Sequence, residues 1–161
     1  MDAYPKEDVM KARLNAYQAA PEAMKALMGF NSYVESCGIE PSLAELVKTR
    51  ASQINGCAFC LHMHTRDARA KGESEERLYL LDAWRESPLY TARERSALAW
   101  TEAVTLVSQT HVPDTVYQEA RAQFSEEELV KLTLLVTMIN AWNRIAIGFR
   151  AVHPVTPARA A

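Results

Sequence analysis

The residues that most restrict the fold are helix punctuation marks. Thr91-Ala92-Arg93-Glu94 and Ser125-Glu126-Glu127-Glu128 each set a hydroxyl three positions before a glutamate. At that spacing side chain and backbone cap one another at a helix N-terminus. Pro21, Pro41 and Pro113 stand ahead of apolar runs, where a first helical turn tolerates a residue without an N–H. Gly38, Gly56 and Gly72 follow such runs, where a left-handed residue ends a helix. Strand-like alternation is absent, and apolar residues recur at three and four positions throughout.

Taken in order, the spacing predicts a helix from about Lys6 to Tyr17, with Val9 and Leu14 as apolar points. A second begins at Pro21, carries Met24, Leu27, Met28 and Val34, and ends at Gly38. A third starts at Pro41-Ser42, bears Leu43, Leu46, Val47 and Ile54, and stops at Asn55-Gly56. Cys57 falls in the first turn of a fourth, which Gly72 ends. Ser74 caps a leucine-rich segment, Thr91 a helix running through Leu98, Trp100, Val104 and Val107, and Pro113 a short one to about Gln123. Ser125 opens the longest, towards Phe149, and the tail from Val152 reads as loose. The expectation is an all-α chain, one domain over residues 1–161, forming a bundle of about seven or eight helices.

Composition excludes several classes. The 161 residues suit one domain with its own core. Apolar residues make up 48% and charged residues 24%, which argues against disorder. A net charge of −2 with no basic block gives no nucleic-acid or polybasic membrane surface. The start of the chain lacks the basic-then-apolar layout of a signal peptide. Leu132 to Ile139 is too short an apolar stretch to span a bilayer. A cytoplasmic location follows as the expectation, and there a close cysteine pair is catalytic or metal-binding rather than a structural staple.

Asn55-Gly56-Cys57-Ala58-Phe59-Cys60-Leu61-His62-Met63-His64 holds two of the three cysteines and two of the four histidines. On a helix, positions 57, 60, 61, 64 and 68 share a face, so Cys57, Cys60 and His64 stack while His62 points away with Thr65 and Arg69. The helix N-terminus favours a thiolate, a histidine one turn on can take a thiol proton, and a second thiol can trap an oxidised first one. Spacing makes His64 the partner of Cys60, whereas the helix terminus makes Cys57 the more acidic thiol. Zinc ligation and plain core packing are the alternatives, although zinc would need a ligand from another segment. Ser42-Leu43-Ala44-Glu45 also matches a capping box, which would leave Glu45 a cap or a solvated carboxylate.

Glu45, Cys57, Cys60 and His64 together reproduce Glu-x11-Cys-x2-Cys-x3-His. This resembles the signature of the alkylhydroperoxidase D-like proteins of the carboxymuconolactone decarboxylase superfamily. The likeness is best over about Pro41 to Leu81, with a second echo in Ile139-Asn140-Ala141-Trp142-Asn143-Arg144. Phe59 stands between the cysteines, where the best-known members carry a histidine.

The resemblance implies an all-α fold assembled as homo-oligomers, trimers or hexamers. It also implies a thiol peroxidase in which Cys60 attacks a peroxide and Cys57 resolves it as a disulfide. His64 and Glu45 would form a proton relay, and an external dithiol reductant would reopen the disulfide, with no metal or flavin cofactor required. A muconolactone-type decarboxylase and a non-enzymatic redox-sensing or zinc-binding module are the rival readings. Cys37 reads as a buried or spare thiol, His111 as a helix-end residue and His153 as tail. Trp84, Trp100 and Trp142 read as core or interface. Asn140, Asn143 and Arg144 either line the site or meet a neighbouring subunit, with the interface preferred.

Overall fold

A computed structural model describes residues 11–155. Among them lie nine α-helices, one 3-10 turn and no strand. The helices are α1 (Ala16–Ala19), α2 (Pro21–Glu35), α3 (Pro41–Asn55), α4 (Ala58–Ala70), α5 (Glu75–Leu80), α6 (Ala92–Thr105), α7 (Val107–Thr110), α8 (Asp114–Gln123) and α9 (Glu126–Gly148). The 3-10 turn, Leu81–Ala83, follows α5. The all-α expectation holds, and the two four-residue helices account for the higher count. No helix among the described residues is long and apolar enough to cross a membrane.

The punctuation acts as the sequence suggests. Thr91 and Ser125 both form complete capping boxes, and Ser74 accepts from the Arg77 N–H. Pro21 and Pro41 sit in the first turns of α2 and α3. The expected helix from Lys6 begins outside the described residues, and residues 11–15 are not helical. Asn15 takes the N–H groups of Tyr17 and Gln18 on its side chain, so it starts a helix at 16 and cannot sit inside one. The helix expected to run through Val107 breaks at Leu106, a residue that caps α6 and leads into α7. The tail is tied in as far as His153, whose ring stacks on His62 at 4.8 Å.

Helix α3 lies at the centre, packed against α4, α6 and α9. Its Leu43 and Val47 join Val34, Trp100, Leu132, Leu135 and Val136 in the largest cluster of buried side chains. Its Leu46 meets Leu81, Trp84 and Leu98 in a second. Its Ala51 meets Cys57, Cys60 and Ile139 of α9 in a third. Since α3 is buried on nearly every side, its polar residues need partners inside the protein. Arg50 supplies one such pairing, to Glu102 of α6 at 2.9 Å, and Glu102 also takes the indole N–H of Trp84 at 2.8 Å. Burial opposes ionisation of Glu102, but Trp84, Arg85 and Arg50 outweigh it and hold the carboxyl below its usual range. This hub straps the 3-10 segment onto α3 and α6.

Leu132, fully buried in the main cluster, and the Ser125 cap of the same helix separate packing from capping. Urea unfolding of Leu132→Ala should show a loss of about 2–5 kcal/mol, and Ser125→Ala about 1 kcal/mol. Equal losses would contradict this division of α9.

Candidate functional site

The turn that presents the thiols depends on Gly56. It caps α3 with φ +68°, a conformation that costs glycine little and other residues more. The next N–H, of Cys57, returns to the Ser52 carbonyl at 3.0 Å. Cys57 is therefore the N-cap of α4 and not part of its first turn, with extended backbone and its sulfur accepting the Cys60 N–H at 3.4 Å. Both sulfurs are buried and 2.7 Å apart. A disulfide at about 2.05 Å requires only a small further approach.

At this separation the two thiols titrate as one unit. The hydrogen bond between the two sulfurs lowers the Cys57 thiol. Burial works against this, and the N–H groups of Cys60 and Phe59 and the Asn143 amide reinforce it. The same hydrogen bond raises the Cys60 thiol, as do its burial and the Cys57 charge, while Asn143 pulls the other way. In the singly ionised pair the charge rests on Cys57 and the remaining proton on Cys60.

Glu45 is no solvated cap. Glu40 occupies the N-cap of α3, and the Glu45 side chain is 2% exposed. One carboxylate oxygen accepts from Lys48 at 2.9 Å and from Lys71 at 2.6 Å. The other lies 3.0 Å from His64 Nδ1. Burial raises the carboxyl, but the bonds from His64, Lys71 and Lys48 override it and hold the group at about 2. The bond to Glu45 in turn raises Lys71. An ionised carboxylate only accepts, so it fixes the proton on Nδ1 and leaves Nε2 as the acceptor of the neutral ring.

A cavity of about 520 Å³ opens beside this group. Phe59, Met63, Leu135, Met138, Ile139 and Trp142 form its apolar wall, while Glu45, Lys48, His64 and Lys71 form a polar corner. Cys60 lines it and Cys57 does not. The four residues singled out in the sequence are thus gathered at one place, with Cys60 the thiol that a small molecule meets. His62 lies away from the cavity, against His153. Among the described residues no three His, Cys, Asp or Glu side chains are grouped to hold a metal ion.

Residues 21–103 match the carboxymuconolactone decarboxylase family model. An uncharacterised Bacillus subtilis protein, YdfG, is 45% identical over 139 residues, spanning 86% of this chain and 95% of its own length. The chain belongs to the carboxymuconolactone decarboxylase family. A crystal structure of an Agrobacterium tumefaciens protein of unknown function, suggested to be the antioxidant defence protein AhpD, is 50% identical. It superposes with a TM-score of 0.89 over 91% of this chain and all of that one. Within the family the chain is therefore AhpD-like. The debrominase Bmp8 shares the fold at 18% identity, with a TM-score of 0.74 over 86% of this chain and 74% of its own.

Sequence reasoning missed two contributors and placed a third differently. Lys48 lies one turn after Glu45, and Lys71 continues the 57, 60, 64 face of α4 by two further turns, so helical spacing could have found both. Asn143 stood out as a polar residue in an apolar run, and of its two readings, site lining and subunit interface, the interface was preferred. With Asn140, it is buried and bonded within the chain instead of being held for a neighbouring subunit.

The Glu45 carboxyl falls from its ordinary 4.5 to about 2 on folding, a difference of about 3 kcal/mol. A lowered carboxyl stabilises the fold above its unfolded value. That share should be complete above about pH 5 and disappear as pH falls towards 2. Glu45→Gln should be less stable at neutral pH by about 3 kcal/mol, with buried Lys48 left to its exposed partner Glu35 alone. Its urea midpoint should also depend less on pH between 2 and 5. A variant keeping the full acid dependence would show that Glu45 does not carry it.

Proposed function

We propose that the protein is a thiol peroxidase that reduces hydrogen peroxide or organic hydroperoxides through Cys57 and Cys60, with His64 and Glu45 as the proton relay. The observation that carries this reading is the Cys60 sulfur on the cavity wall, 2.7 Å from Cys57 and one helical turn from a histidine that a buried carboxylate orients. The suggested antioxidant role of the Agrobacterium relative points the same way.

In the proposed cycle the dithiol first loses one proton to His64 Nε2, and Glu45 stabilises the resulting imidazolium. The remaining proton moves along the S–H···S bond from Cys60 to Cys57, which leaves the thiolate on the sulfur that faces the cavity. That thiolate attacks one peroxide oxygen and the O–O bond breaks. The alkoxide or hydroxide leaving group takes the proton from His64, and Cys60 becomes a sulfenic acid. Cys57, in thiolate form, then attacks the Cys60 sulfur. The S–O bond breaks, and hydroxide leaves as water with the proton Cys57 gave up. The peroxide has gained the two electrons of the dithiol, and an external dithiol reductant restores them by exchange. Glu45, held ionised by two lysines, orients and stabilises without itself carrying the proton.

Attack by Cys60 draws support from access, and condensation by Cys57 from its acidity. A ring-acid decarboxylase, the activity in the family's name, has no use for a buried dithiol. The exposed apolar residues Tyr33, Val130 and Ile147 fit assembly into a homo-oligomer, trimer or hexamer.

One equivalent of peroxide added to the reduced protein should remove two free thiols, and Cys60→Ser should abolish the loss. Cys57→Ser should stop at a sulfenic acid that a dimedone probe captures. Unchanged thiols in the wild type would overturn the peroxidase reading. A sulfenic acid trapped only in Cys60→Ser would reverse the two roles.

A further inference from the structure

Asn143 lies on the one face of α9 that meets the thiols, where Ile139 and Ala146 pack against Cys57 and Cys60. It is fully buried, so each of its polar atoms needs a partner. Its Oδ1 accepts from Asn55 Nδ2 at 2.9 Å, and its Nδ2 donates to Ser52 Oγ at 3.0 Å. The one hydroxyl hydrogen of Ser52 is already spent on the Lys48 carbonyl at 2.7 Å, so Ser52 can only accept from Asn143.

The other end of the network fixes the same orientation independently. Arg144 has only donors, and its guanidinium bonds Asn140 Oδ1 at 2.8 Å. Asn140 must therefore turn its nitrogen to Thr105 Oγ1 and the Val136 carbonyl, both within 3.0 Å. Asn55 must offer its own nitrogen to Asn140 Oδ1, at 3.0 Å, and its nitrogen also meets Asn143 Oδ1. Asn143 Oδ1 is therefore occupied, its nitrogen faces Ser52, and the second hydrogen of that nitrogen is left beside the cluster that Ile139 and Ala146 form with Cys57 and Cys60. A flipped Asn143 would break bonds at both ends.

We propose that Asn143 is a fixed amide donor to the Cys57–Cys60 pair, and that Arg144 is a positioning residue that sets its polarity through Asn140 and Asn55. The inference rests on the dithiol reading and adds a residue to it that the four-point signature lacks. A donor locked in place before ionisation stabilises the thiolate without reorganising when charge appears. The Asn143 amide lowers both thiols, as such a donor should.

The test is the pH profile of iodoacetamide alkylation at the Cys57–Cys60 peptide in full-length, reduced protein. Asn143→Leu keeps the branched shape of the side chain and leaves Asn55 bonded to Asn140 and Ser52 bonded to the Lys48 carbonyl. Its alkylation midpoint should rise by about one pH unit, equal to about tenfold less thiolate below the midpoint. Arg144→Met, at an exposed position that touches neither sulfur, should raise it by a smaller amount. A wild-type profile in Asn143→Leu would overturn the proposal. If Asn143→Leu fails to fold, Arg144→Met decides, and an unmoved midpoint there overturns it. Failure of the peroxidase reading would look different: the wild-type pair would survive peroxide while the alkylation midpoints still separated.

Discussion

A carboxylate that is 2% exposed can stay ionised only if donors replace the water it has lost. Glu45 recruits three, from Lys48 on its own helix, from His64 on α4 and from Lys71 at the C-cap of α4. Because the partners sit a turn or more apart on α4, the cluster fixes the rotation of that helix as well as its distance from α3. That rotation puts Cys60 and His64 on the cavity and turns His62 away. The site's geometry and this corner of the fold are thus one electrostatic problem with one solution.

Helix α9 supplies the other half of the enclosure. Its apolar residues close the core and wall the cavity, while Asn140 and Asn143 form a polar seam running from Thr105 to the thiol turn. Such a seam in a low-dielectric interior stabilises the fold only when every member is bonded. Here the bonds run unbroken from the Arg144 guanidinium through Asn140, Asn55 and Asn143 to Ser52. Ser52 then holds the Cys57 N–H through its own carbonyl. The helices that carry the dithiol are therefore tied at two places, by ions between α3 and α4 and by amides between α3 and α9.

Much of this was legible in the residues. Capping boxes and prolines mark helix starts because they act within four residues, and their chemistry does not depend on what packs later. The shared face of Cys57, Cys60 and His64 is likewise a property of helical pitch. Glu45 was not legible locally: Ser42 and Glu45 satisfy a capping pattern, yet Glu40 takes the N-cap and Glu45 turns inward. Only its offset from the cysteines, read through the family resemblance, gave it a role. Asn143 shows the same limit more sharply, because its partners lie 88 and 91 residues away, and no local rule reaches that far. The four-residue helix at Val107–Thr110 was hidden for a related reason, since an apolar period continues across the break at Leu106.

The decisive question is whether the carboxylate, histidine and thiol pair act as one unit. The measurement is the single-turnover rate of Cys57–Cys60 disulfide formation with substoichiometric peroxide, in wild-type protein and in His64→Gln at the same pH. If His64 takes and returns the proton, the variant should be slower by about a hundredfold or more while keeping its fold. Equal rates would contradict the relay and leave the Glu45 cluster a purely structural feature.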